Sequence, residues 1–86
     1  MTKIFCHFSL FDLHQKVYLV DDDGTREICI STMDSLEEDI VKMCVTHNVN
    51  RVLLKGNREY GSAMAEGIHR AGIVYYNIND IEVEVE

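Results

Sequence analysis

Proline is absent from this sequence of 86 residues, so no ring stiffens its turns. No long apolar run occurs, which excludes a helix that spans a membrane. Basic residues are scarce, eight against fifteen acids, for a formal charge of -7. A chain that acidic is expected to bind phosphate backbones poorly, because that affinity rests on Lys and Arg displacing counterions. An acidic membrane surface is expected to repel it for the same reason. The charge therefore argues for no nucleic-acid partner and no membrane, and for partners with a basic face. The cysteines are few and odd in number (Cys6, Cys29, Cys44), with no Cys-x-x-Cys pair. That excludes a paired disulfide framework and fits buried free thiols in a reducing compartment. The opening Met1-Thr2-Lys3-Ile4-Phe5-Cys6-His7 turns polar too soon for a signal peptide, so the expected location is the cytoplasm.

What is present has the texture of a globular domain. Apolar residues make up 47% and charged residues 27%, close to the average mix, which rules out a disordered tail or a coiled coil. There is no linker or repeat, so residues 1–86 read as a single domain. A core this small is marginal, and self-association into a homo-oligomer is the expected supplement.

Alternation marks the first half. Lys3 to Phe8 is β-branched and aromatic and reads as a strand, ended by Ser9 to His14. Gln15 to Val20 alternates, with Val17 and Leu19 on one side and Tyr18 and Val20 on the other. Asp21-Asp22-Asp23-Gly24 reads as a hairpin turn, and Arg26 to Ile30 as its returning strand. The period then changes. Leu36, Ile40, Met43, Cys44 and His47 share one helical face, which predicts a helix near 34–47. Ser35-Leu36-Glu37-Glu38 has the capping-box form, and Asn48 is the expected C-terminal cap.

Val52-Leu53-Leu54 is unbroken and apolar, as suits a strand covered on both faces. A second helix is predicted over 58–70, with Tyr60, Ala63 or Met64, Gly67, Ile68 and Ala71 inward and Gly72 as its C-terminal glycine. Ile73 to Ile78 then reads as a fifth strand. The tail alternates strictly, placing Ile81, Val83 and Val85 on one face, as a short edge strand or a strand added to another subunit's sheet.

The expected fold is α/β, a single-domain mixed five-stranded sheet in β-β-β-α-β-α-β order. That order resembles the ribonuclease H-like fold shared by RuvC-type resolvases and actin-like ATPases, over residues 3–78. The opening Lys3 to Asp12, Gln15 to Val20, and Leu54-Lys55-Gly56-Asn57 leading to Tyr60 also resemble small phage proteins of no assigned function. The first resemblance implies clustered carboxylates holding two divalent metals, the first acid within the first strand. Lys3 to Phe8 carries no acid, and neither does Arg51 to Lys55.

Few residues point to chemistry. Asp21 to Thr32 does not fill the positions of a calcium loop. Cys44 and His47 lack the further ligands of a zinc site, so no metal and no cofactor are expected. Lys55-Gly56-Asn57-Arg58 lies between a strand and a helix, where backbone N–H groups and local basic charge favour an anion. Tyr76, with Ile81, Val83 and Val85, is the candidate interface. These features predict a non-enzymatic, phage-encoded interaction protein acting in the host cytoplasm as an oligomer and binding a host or virion protein. The alternative is an oligomer sequestering an anionic nucleotide-like molecule. A third reading, implied by the fold resemblance, is a metal-dependent nuclease in which Asp12 serves.

Overall fold

The computed structural model describes residues Met1–Glu86. Its elements run β1 (Lys3–His7), β2 (His14–Asp21), β3 (Gly24–Thr32), α1 (Leu36–His47), β4 (Arg51–Lys55), α2 (Arg58–Tyr76) and β5 (Glu82–Val85). They build one mixed sheet in the order β3-β2-β1-β4-β5. The first three strands form an antiparallel meander. β4 joins β1 in parallel, and β5 joins β4 in parallel after the α2 crossover.

The meander forms where the alternation placed it. Asp21 pairs with Gly24 across a two-residue loop. The Asp23 N–H donates to Asp21 Oδ1 at 2.9 Å, closing the turn through a side chain. A bulge opposite Val17 and Tyr18 leaves Ile28 as the extra residue of β3.

Helix α1 begins at Leu36, with acids through its first turn where the dipole favours them. The capping box does not form. Ser35 Oγ is engaged with the hydroxyls of Ser31 and Thr32 (3.3 and 3.0 Å), so it caps no N–H of the helix. Asn48 ends the helix in the left-handed conformation, its N–H returning to Val45 O and the Val49 N–H to Cys44 O.

The second half departs from expectation at one point. Ile73 to Tyr76 is the last turn of α2 and not a strand, and the fifth strand is Glu82–Val85. Gly72 is buried inside the helix, and Asn77 is the left-handed cap. Burial carries the helix past Gly72. Met64, Gly67, Ile68, Ala71 and Gly72 make one continuous inner stripe, and that packing outweighs the strand preference of Ile73-Val74-Tyr75-Tyr76. Tyr60 and Ala63, expected inside, lie on the exposed side, and Gly61 takes the inner position.

Both helices pack on the same face of the sheet. The core is built from Ile4, Cys6 and Phe8 of the first strand and its exit, Val17 and Leu19, and Val52 and Leu54, closed by Leu36, Ile40, Val41, Cys44, Met64, Ile68, Ala71 and Ile81. The molecule is two layers thick, with extents of 31 × 30 × 20 Å. Because successive strand residues point to opposite sides, the alternate set faces away from both helices. No helix covers that second face.

Candidate functional site: the helix-free sheet face

The open face is written in the odd positions of β1 and the even positions of β2. Lys3, Phe5 and His7 line β1, and His14, Lys16, Tyr18 and Val20 line β2. β4 adds Arg51, Leu53 and Lys55. The three central strands thus carry Lys3, Lys16, Arg51 and Lys55 here, half of the chain's eight basic residues, and no acid. The acids of this face stand on the two outer strands: Glu27 on β3 and Glu82 and Glu84 on β5, with Glu86 just beyond. Lys16 Nζ approaches Glu27 Oε1 at 3.9 Å, and Lys55 Nζ approaches Glu86 Oε1 at 3.8 Å. Both pairs are solvated, so each contributes little to stability. The remaining acids lie elsewhere, on the β2–β3 turn and the first turn of α1 among other places.

Two aromatic rings lie at the middle of this lane. Phe5 and Tyr18 are direct cross-strand partners. Their ring centroids are 6.4 Å apart with planes at 40°. Both are half-buried, flanked by neighbours at their edges and open above.

At the carboxyl end of β1, a shallow cleft of about 280 Å³ gathers His7, Asp12, His14, Lys16 and Tyr18, with Gln15 at its base. The loop behind it is fixed by a buried amide. Gln15 is only 2% exposed and makes three hydrogen bonds with the Ser9 and Asp12 backbone. His7 and His14 are both exposed, one on each strand. Two imidazoles and an ammonium facing one cleft can take up, deliver and balance charge during proton transfer. The sequence carried a signal for this cluster in the shared parity of His7, His14 and Lys16, which sequence reasoning missed because charge was judged over the whole chain.

No three Asp, Glu, His or Cys side chains converge as a metal-ligand set. β1 and β4 bring no carboxylate to their ends. The donors present do not fit the two-metal centre that the fold resemblance implies, and no step is derived through a metal here.

The anion-site candidates fall on either side of a βα turn. Lys55 points to the open face beside Glu86. Gly56 has φ +155 and lies against Phe8, where a Cβ would come within 2.8 Å of the ring. Asn57 is the N-cap of α2, its Oδ1 accepting from the Tyr60 N–H at 3.0 Å. Arg58 opens the helix, exposed. Of the interface candidates, only Tyr76 faces solvent, 40% exposed. Ile81 is buried in the core, Val83 packs against it and Val85 rests on Gly61, because β5 turns its apolar side to the helices. The cysteines are free, and burial pushes the Cys6 and Cys44 thiols up to about 11.

No protein-family model matches the chain, and no curated protein matches it. Among solved structures it is similar to the Fowlpox virus resolvase in complex with substrate Holliday junction DNA, at 14% identity and a TM-score of 0.52. A second structure of the Fowlpox virus Holliday junction resolvase matches at 16% identity and a TM-score of 0.46. Each match covers 100% of this chain and 60% of the resolvase, so the chain spans about three fifths of the protein it resembles. At such identity the likeness is one of fold, and it bears out the resolvase-type resemblance read from element order. It also corrects three expectations. The non-enzymatic role, with the anion-sequestering alternative beside it, the absence of activity and the exclusion of nucleic acid all rested on chain-wide acidity. The fold is shared with a resolvase seen on its DNA substrate, and the acids here are sorted away from the central strands.

Proposed function

We propose that this protein acts on nucleic acid through its helix-free sheet face and handles a phosphodiester at the cleft of His7, Asp12, His14 and Lys16. The observation that carries the reading is the gathering of two imidazoles and a lysine at the end of β1, beside a lane of bases without acids. The resolvase-like fold supports it by analogy. One imidazole takes the proton of the attacking hydroxyl as its oxygen bonds to phosphorus. The other returns a proton to the departing oxygen as its bond to phosphorus breaks. Lys16 faces the charge that builds on the phosphoryl oxygens.

The test is cleavage of end-labelled single-stranded RNA, single-stranded DNA and a four-way DNA junction, each with magnesium and with EDTA. Cleavage that persists in EDTA and falls by about 10²-fold or more in His7→Ala and His14→Ala supports the reading. Cleavage that needs magnesium and is indifferent to both substitutions would move the reaction away from this cleft. Absence of both binding and cleavage would end the proposal.

A further inference from the structure

We infer that the substrate of this face is a single strand, its bases stacked on Phe5 and Tyr18 and its phosphates led by Lys3, Lys16 and Arg51. The inference rests on the nucleic-acid reading above and narrows its substrate class.

The lane of unopposed bases is three strands wide. Neighbouring strands lie about 4.8 Å apart, so β2, β1 and β4 together give a track about 10 Å across. On one side of it stands Glu27, and on the other Glu82, Glu84 and Glu86. A single strand fits between these carboxylates. A duplex is wider than the track and would lay its phosphates over the acids of one rim or the other. The rims therefore act against double-stranded occupants while leaving the middle free.

The rings make the same selection. Every base has a π-face, and stacking on an exposed aromatic is tolerant of sequence. In a duplex those faces are already stacked on one another and cannot reach Phe5 or Tyr18. Two rings with centroids 6.4 Å apart on adjacent strands, open above and flanked by lysines, present such a platform. Tyr18 also lines the His7–His14 cleft. A base stacked on Tyr18 sets its own backbone beside the two imidazoles, which joins the binding surface to the reaction site. The net charge of -7 further requires that stacking supply much of the affinity, since a chain this acidic gains little from long-range attraction.

The experiment is fluorescence anisotropy with the full chain and labelled 12-nucleotide probes of one mixed sequence. The probes are single-stranded DNA, single-stranded RNA, the corresponding DNA duplex, and a four-way junction built from the same arms. The single strands are expected to bind at least tenfold more tightly than the duplex. Phe5→Leu keeps the apolar packing and removes the ring, and Tyr18→Leu does the same on β2. Each is expected to weaken single-strand binding about tenfold, with Tyr18→Phe retaining it, and circular dichroism checks that the variants stay folded. Equal or tighter binding of duplex or junction, or single-strand affinity indifferent to Phe5→Leu and Tyr18→Leu, overturns the inference and leaves the broader nucleic-acid reading standing. Failure of all four probes to bind removes both. A dimer in light scattering that Phe5→Leu dissociates, with no probe bound, would assign the face to a second copy of this chain and overturn the inference. The DNA and RNA single-strand arms distinguish the two sources of the strand.

Discussion

Gln15 clasps Ser9 by both ends of its side-chain amide. The Ser9 N–H donates to Gln15 Oε1 at 2.9 Å, while Gln15 Nε2 donates to the Ser9 carbonyl at 2.8 Å. The same nitrogen donates to the Asp12 carbonyl at 2.8 Å. A backbone segment that makes no strand is thereby satisfied from within the core, and it holds up a tip on which Phe11 is 97% exposed. Side chains of the proposed reaction cleft project from both sides of this segment.

Replacing Gln15 with Leu keeps the volume and removes all three bonds. Unpaired buried amide groups are expected to cost about 2–3 kcal/mol. For a domain of this size that lowers the melting temperature by roughly 10–20 °C. Thermal unfolding followed by circular dichroism reads it. A change within 2 °C would mean that solvent replaces the clasp without loss.

Gly61 and Val85 are matched across the α2–β5 contact. A Cβ at Gly61 would come within 2.6 Å of Val85 Cγ1. Alanine there improves helix propensity by about 1 kcal/mol, yet the overlap is expected to outweigh it and leave a net loss of about 1–2 kcal/mol. Hydrogen exchange should rise first at Glu82–Val85. The double variant Gly61→Ala, Val85→Ala should recover most of the loss, giving a coupling energy in the cycle. Strictly additive effects would show that β5 gives way without cost.

Glu37 supplies a pH dependence. Its carboxylate packs over the backbone of Gly67, and burial raises its pKa above the ordinary value, while the Arg70 guanidinium pulls it back. The folded state therefore binds this proton more tightly than the unfolded chain does. Stability from this group is present at low pH and is lost as pH rises through the ordinary carboxylate value to the raised folded one. Glu37→Gln should be more stable than the parent near pH 7, with the difference shrinking as the pH falls through that window. Gly67→Ala should push the flexible carboxylate outward and remove the same slope. Parallel pH–stability curves for parent and Glu37→Gln would refute it.

The thiols should report folding. Burial and thiol values near 11 keep Cys6 and Cys44 in the unreactive protonated form at neutral pH. Titration with a chromophoric disulfide should modify Cys29 first, since it is only partly buried, although its thiol too is pushed up by burial and by Asp39. Cys6 and Cys44 should react only at the rate of global opening. Immediate reaction of three equivalents would contradict the packing.

Much of this was legible in the residues, and the failures have physical causes. The Asp21–Gly24 hairpin, α1 and β4 follow from local pattern. Ile73-Val74-Tyr75-Tyr76 misled because its β-branched and aromatic run outshouts a helical stripe set by Gly67, Ile68, Ala71 and Gly72, residues with little side chain to advertise. The cap at Asn77 had a precedent within the chain, since Asn48 ends α1 in the same left-handed conformation. The open face was also present in the alternation of Lys3, Phe5 and His7 against Lys16 and Tyr18. What alternation cannot say is that α1 and α2 settle on one side. That depends on the close seating of α2 against α1 through Gly67 and Glu37, a tertiary fact.

The last strand has a colloidal consequence. β5 ends the sheet with unpaired backbone along its outer edge, a surface on which another molecule could extend the ladder. Its glutamates at every second position would face an identical row if two molecules met side by side, and their mutual repulsion keeps such meetings brief. The protein's resistance to growing into filaments is thus held largely by three carboxylates on a four-residue strand and the residue after it.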